Sequence, residues 1–333
     1  MRAWRRHWCW ACALWLLACA PAAAAHNAWG FSWRTRIGID NPLVGRVWAP
    51  GEQRFLAPIA LAPRLQQARF VLLGERHDNP DHHLMQARLL KALINAGRHP
   101  AVAFEMIDTS QQPALQHFLA TRPHPASALG PAVHWGQSGW PPWHEYEPIA
   151  RVALAAGLPL VAAELPAKRV RAVVEKGWQA LDPALVRRLG LRRPWPAKRT
   201  AAMRREIKQA HCGLLPAHLL PGMVKAQRLR DAFMAARLRR AATSGGAVLI
   251  TGAGHARTDY GVPLHLREHG VAASQVVSVA MVQVRPGEAR PQAYAAGFDA
   301  PRLPFDYVVF TPAVPRGHPC AKLRKEFRGR KVK

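Results

Sequence analysis

Glu75, His77, His82 and His83 fall within the segment Leu72-Leu73-Gly74-Glu75-Arg76-His77-Asp78-Asn79-Pro80-Asp81-His82-His83, directly behind the apolar run Phe70-Val71-Leu72-Leu73. A carboxylate among imidazoles supports general acid–base catalysis, nitrogen and oxygen ligation of a divalent metal, or buried hydrogen bonding. Three further ionisable groups stand in the same relation to an apolar run. Glu105 follows Pro100 to Phe104, Glu164 follows Leu158 to Ala163, and His255 follows Ala247 to Ile250 through Thr251-Gly252-Ala253-Gly254.

Short apolar runs of this kind read as buried strands. The strand expected to end at Leu73 is followed by a glycine free to turn, which projects Glu75 and His77 past the strand end. Asp78 to Asp81 can then cap a helix carrying Met85, Leu89 and Leu93 at helical spacing, with His82 one turn earlier on the same face. The bland reading is that Asp78, Asn79 and Asp81 make a turn and His82 packs in the core. If the strands are parallel, their ends share one sheet edge, and Glu75, His77, Glu105, Glu164 and His255 converge there. The fold class expected is therefore α/β, with a mainly parallel central sheet flanked by helices.

The remaining elements complete one body. A helical insertion is expected over about 166–243, from Lys168 to Gln179, Pro183 to Leu189 and Gly222 to Ala242, with Pro194, Pro196, Pro216 and Pro221 at the breaks. Val276 to Val284 and Tyr307 to Phe310 supply further strands. Between Asp108 and Pro148, Trp135, Trp140, Trp143 and Tyr146 crowd together, as in a binding loop or in packing over the sheet. A single domain over about 40–320 is expected, with 321–333 a solvated basic tail.

The 333 residues are 49% hydrophobic and 20% charged, a globular composition. Lys and Arg number 47 against 20 Asp and Glu, a net charge of +27 that attracts anions of any kind. Nucleic acid is disfavoured among them, because no zinc finger, Walker loop or recognition-helix pattern is present. The chain opens with Arg2, Arg5 and Arg6, an uncharged apolar stretch from Cys9 to Ala20, and small residues to Ala25. This is the three-part export signal, expected over 1–25. Cleavage falls either before His26 or at Leu16-Leu17-Ala18-Cys19, a lipobox that leaves Cys19 lipidated and the protein anchored to a membrane. The location expected is the periplasm or outer membrane. After the leader only Cys212 and Cys320 remain, either as a disulfide or as independent thiols.

The run Val71 to His83 with Phe104-Glu105-Met106 resembles the ChaN-like haem-binding uptake proteins, within the group that includes the erythromycin esterases and the Tiki and TraB proteins. Similar in the same way are His211 to Pro216, Gly222 to Ala235 and Gly252 to Pro263, so the resemblance covers about 41–320. It implies an exported protein that binds haem non-covalently for haem or iron uptake, with a haem transporter or receptor as partner, and it is compatible with a homodimer. Arg230 and Asp231 match the group's Arg-Asp/Glu-x-x-Met-Ala pattern. Glu164 stands where the pattern has asparagine, which puts its role in question. Haem needs an axial donor, tyrosine or histidine. Of Tyr146, Tyr260, Tyr294 and Tyr307, Tyr260 is favoured, with Arg257 able to support its phenolate; His82, His83 and His211 are the fallback. The esterase and Tiki relatives imply instead a hydrolase using Glu75, His77, Glu105 and His255, with His77, Glu105 and His255 holding a divalent metal if metal-assisted.

Overall fold

The computed structural model describes residues 29–121, 125–315, 320, 321 and 324. The expected leader, with its expected lipobox at Cys19, and most of the expected basic tail lie outside them. An eight-stranded sheet forms the centre, in the order β2-β1-β8-β7-β3-β6-β4-β5. Its strands are β1 (Val47–Ala49), β2 (Arg54–Leu56), β3 (Phe70–Glu75), β4 (Ala101–Asp108), β5 (Leu160–Glu164), β6 (Ala247–Gly252), β7 (Val276–Gln283) and β8 (Tyr307–Thr311). From β8 to β5 the pairing is parallel, and only β1 and β2 add antiparallel partners at one margin. The fold class expected from sequence is the one observed.

The short β1 and β2 escaped the sequence reading because three-residue strands carry too little periodicity to register. The central strands were legible for the opposite reason. Every residue of β3 and β6 is buried, so both faces are apolar and the strands read as continuous hydrophobic runs.

The helices are α1 (Leu61–Gln66), α2 (Pro80–Asn95), α3 (Gln112–Ala120), α4 (Ala126–Ala132), α5 (Trp143–Ala155), α6 (Ala167–Lys176), α7 (Pro183–Arg188), α8 (Ala197–Ala210), α9 (Leu220–Ala241), α10 (Ala253–Ala256) and α11 (Val262–Glu268). The connections β3 to β4 and β4 to β5 advance across the sheet one way, whereas β5 to β6 and β6 to β7 return the other way. Right-handed crossovers therefore place α2 and α5 on one face and α9 and α11 on the other, and each pair is packed together. Adjacent strands β3 and β6 leave toward opposite faces, which opens a crevice at their carboxyl ends.

Gly74 does not turn the chain, as its sequence position suggested. It lies within β3, where a Cβ would stand 2.8 Å from the Ala256 Cβ and 3.0 Å from the Ala253 Cα. The missing side chain lets α10 approach the strand, and the turn comes two residues later. Gly222 serves α9 similarly, since a Cβ there would meet the Val174 carbonyl oxygen of α6 at 2.0 Å. The tryptophan-rich segment is mainly helical, forming α3, α4 and the start of α5, with Trp135 buried against Trp143 and Tyr146. Cys212 and Cys320 form a disulfide, Cα atoms 5.6 Å apart, tying the end of the helical segment to the chain's C-terminal part.

Candidate functional site at the carboxyl edge of the sheet

The edge carries two linked clusters. In the first, Glu75 at the end of β3 is fully enclosed. Its Oε1 accepts from the Tyr146 hydroxyl at 2.7 Å and lies 2.8 Å from His77 Nδ1, while Oε2 is 3.1 Å from His83 Nε2. Burial pushes the Glu75 carboxyl up, but the close approach of His83 and the hydrogen bond to His77 outweigh it and hold the group at about 2. The His83 ring lies against Tyr146, centroids 4.0 Å apart and tilted by 36°, and its other nitrogen lies 3.7 Å from Glu145. His77 has its ring against Trp140, centroids 4.7 Å apart, and a third of its side chain reaches solvent. Burial lowers the His77 pKa, yet Glu75 and Glu105 more than reverse this, so it is raised.

The second cluster centres on Glu105, whose strand is irregular between Phe104 and Asp108 where it pairs with β5. All of its acceptor capacity is committed. Oε1 receives Arg230 Nη2 at 2.7 Å and faces His255 Nε2 at 3.3 Å; Oε2 receives the Thr251 hydroxyl at 2.6 Å and the Gly252 amide at 2.8 Å. Arg230 also donates through Nε to Glu164 Oε2 at 2.5 Å. His255 Nδ1 lies 2.6 Å from Asp231 Oδ1, so carboxylate oxygens face both ring nitrogens. An imidazolium donating twice satisfies that arrangement. Burial opposes the charge, but Glu105 and Asp231 prevail and raise His255 to about 10.

Gly252 joins the clusters. A Cβ on it would stand 2.8 Å from His77 Nε2 and 3.7 Å from Glu105 Oε2, so the glycine at the end of β6 makes room for the His77 ring beside the buried carboxylate. Glu75, His77, Glu105, Glu164 and His255, expected to converge, are gathered here with His83, Arg230 and Asp231.

His82 stands apart from this chemistry. Its Nδ1 accepts from the Arg76 amide at 2.8 Å and its Nε2 donates to the Thr311 hydroxyl at 2.9 Å, which fastens the β3–α2 turn to β8. Burial lowers its pKa to about 3, so it is neutral. Asn79 caps α2 and Asp81 binds the Arg34 and Thr35 amides, so the polar residues of the turn are structural.

The residues favoured for haem from sequence lie elsewhere. Tyr260 is 3% exposed, its hydroxyl on Glu206 and its ring in a cluster with Met203, Ile207 and Leu264. Arg257 is 1% exposed and held by Asp259, Glu206 and the Phe298 carbonyl. His211 is bonded to the Ile207 carbonyl. Tyr294 donates to the Glu288 carbonyl, and Tyr307 accepts from Arg64.

Beside the second cluster lies a cavity of about 870 Å³; of Glu75, His77, Glu105 and His255, expected around one pocket at this edge, Glu105 lines it, together with Trp140 from the aromatic-rich segment. Glu105, Glu164 and Arg230 stand at its inner wall, and Met106, Leu165, Val170, Val174 and Met223 supply apolar surface together with Trp140. His134 and Arg171 also line it. His134 has a backbone φ of 55°, exposed at the start of the turn Trp135–Gln137, and its ring makes no hydrogen bond among the described residues. Its only sequence signal was position, one residue before Trp135 in the aromatic-rich segment.

A divalent metal does not fit the His77, Glu105 and His255 set. Both nitrogens of His255 and both oxygens of Glu105 are engaged, and among the described residues no group of three or more His, Cys, Asp or Glu side chains is arranged to hold a metal ion. Non-covalent haem fits the cavity better, since apolar walls, a free imidazole and the unpaired cation of Arg171 suit a flat anionic ligand. No helix among the described residues is long and apolar enough to cross a membrane.

Residues 61–266 match the model of the ChaN family, described as haem-binding uptake proteins of the Tiki superfamily. The chain belongs to this family. Among solved structures it is similar to one described as cofacial haem binding to ChaN of Campylobacter jejuni, with a TM-score of 0.60 and 19% identity over 79% of this chain and 95% of that one. A mutant of the erythromycin esterase EreC in its open conformation is matched at a TM-score of 0.42 and 14% identity, over 87% of this chain and 100% of that one. No curated protein matches.

Proposed function

We propose that this protein binds haem in the cavity at the carboxyl edge, outside the cytoplasm, as part of haem or iron uptake. The observation carrying the proposal is the cavity of about 870 Å³ with apolar walls and an unengaged histidine, in a chain of the ChaN family. His134 is the proposed axial ligand, because its ring is free while all four tyrosines are buried. Arg171 would pair with a propionate; Arg230 cannot, being held by Glu105 and Glu164. Haem would supply an iron centre for His134 to hold and carboxylates for Arg171 to pair with. The leader motivates the location, with Cys19 as a lipid anchor and a haem transporter or receptor as partner.

Titration of the purified protein with haemin tests this. A shifted Soret band saturating at a fixed ratio is expected, and His134→Ala should move or abolish it while the far-UV spectrum is unchanged. No Soret shift would overturn haem binding. A spectrum indifferent to His134→Ala would overturn the ligand assignment alone.

One observation favours a second reading. His77 Nδ1 is held by buried Glu75, itself held by Tyr146, and Nε2 has no hydrogen-bond partner among the described residues. A carboxylate-oriented imidazole with one free nitrogen is the arrangement of a general base, so this reading is a metal-independent hydrolase. Ester cleavage lost in His77→Ala and unaffected by His134→Ala would establish it.

A further inference from the structure

A second cavity, of about 250 Å³, lies entirely within the segment between β5 and β6 and shares no lining residue with the first. Two indoles, Trp178 and Trp195, and Val224 give it apolar walls, and Arg204, Lys225 and Arg228 line it as cations. Among the described residues no carboxylate lines it.

Arg228 is the anomaly. It is 7% exposed, yet no carboxylate lies within ion-pair distance among the described residues. One of its nitrogens donates to the Gly190 carbonyl at 3.0 Å, and its buried Nε has no acceptor. The guanidinium sits 5.0 Å from the Trp195 ring centre, an attraction weaker than a countercharge. Glu268 is the acid whose field reaches Arg228, but it lies beyond ion-pair distance of it and within 3.9 Å of Arg199, and Arg199 itself opposes the charge on Arg228. Arg204 and Lys225 likewise have no acidic partner among the described residues. A buried arginine without a carboxylate is costly, and each unsatisfied buried donor calls for a physical cause.

We propose that this cleft between α8 and α9 binds a small aromatic carboxylate. The ligand's charge answers the uncompensated cations, and its ring lies against the indoles. The size agrees, because a cavity of roughly 150 Å³ holds benzene, and one of about 250 Å³ leaves room for a single ring with its carboxylate. Arginine's fork accommodates carboxylate and phosphate alike, and a carboxylate is preferred because the smaller, planar group leaves more of the cavity of about 250 Å³ for the ring.

Benzoate is the probe, compared with benzamide, phenyl phosphate and inorganic phosphate by calorimetric titration of the full chain. Benzoate should bind with one-to-one stoichiometry, more tightly than benzamide by about tenfold or more, and less tightly as ionic strength rises. Arg228 is buried, so Arg228→Met is paired with the Arg204→Ala, Lys225→Ala double variant, whose altered side chains lie nearer the surface. That double variant should weaken benzoate by about tenfold with an unchanged melting transition. Equal binding of benzoate and benzamide would overturn the site. Phosphate as strong as benzoate would overturn the aromatic assignment, and phenyl phosphate stronger than benzoate would overturn the carboxylate. Haemin titration reads the other cavity, so failure here leaves the haem proposal standing.

Discussion

Replacing Arg230 with methionine should expose the electrostatic tension at the sheet edge. The guanidinium bridges Glu105 and Glu164, at 2.7 and 2.5 Å, and removing one partner of a buried ion pair generally costs about 3–5 kcal/mol. The two carboxylates are unequally affected. Glu105 keeps His255, the Thr251 hydroxyl and the Gly252 amide, whereas Glu164 keeps, among the described residues, only the Leu165 amide at 2.7 Å. The Arg230 side chain is 23% exposed, so water takes over part of the charge, and the lower end, about 3 kcal/mol at pH 8, is expected. The pH dependence has a definite sign. Burial already raises the Glu164 pKa against the pull of Arg230, and without that cation it rises further. The penalty is full where Glu164 is ionised and fades as the variant takes up a proton. Glu105 is held well below its ordinary value, so its contribution is present above that value and lost in acid; weakening it is also felt at neutral rather than acid pH. Urea denaturation followed by circular dichroism should therefore show a smaller loss at pH 5 than at pH 8, and adding Glu164→Gln should recover part of it at pH 8. A loss under about 1 kcal/mol at pH 8, or an equal loss at both pH values, would refute the reasoning.

Tyr146→Phe removes the hydroxyl that donates to Glu75 at 2.7 Å, and a hydrogen bond to a buried charge predicts a loss of about 2 kcal/mol in urea denaturation; an effect under about 0.5 kcal/mol would contradict that. The disulfide joins residues 108 apart, for which chain entropy gives an upper bound of about 4.8 kcal/mol. Cys212→Ser with Cys320→Ser should lower stability by about 2–4 kcal/mol, and thiol titration of the unfolded, unreduced wild type should find neither cysteine free. Finding both free would contradict the pairing.

What the sequence revealed follows from how each feature is encoded. Strands buried on both faces write themselves as apolar runs, and the parallel rule places their ends on one edge, so the meeting of Glu75, His77, Glu105, Glu164 and His255 could be foreseen. Which of their atoms remain free could not, because that depends on partners distant in the chain. Tyr146 reaches Glu75 across 71 positions, and Arg230 reaches Glu105 across 125. Tyr260 looked available beside Arg257, but the chain folds both inward onto Glu206 from α8, a helix the sequence reading did not delimit. The walls of the cavity were hidden for the same reason. It lies between β4, the turn at His134, α6 and the start of α9, the last two brought together where Gly222 fits against the Val174 carbonyl. The engagement of Glu105 and His255 has a functional consequence. A carboxylate and an imidazole with every site occupied act as a scaffold, which leaves His77 at the solvent face and His134 at the cavity as histidines around this edge that combine an unengaged nitrogen with access to solvent.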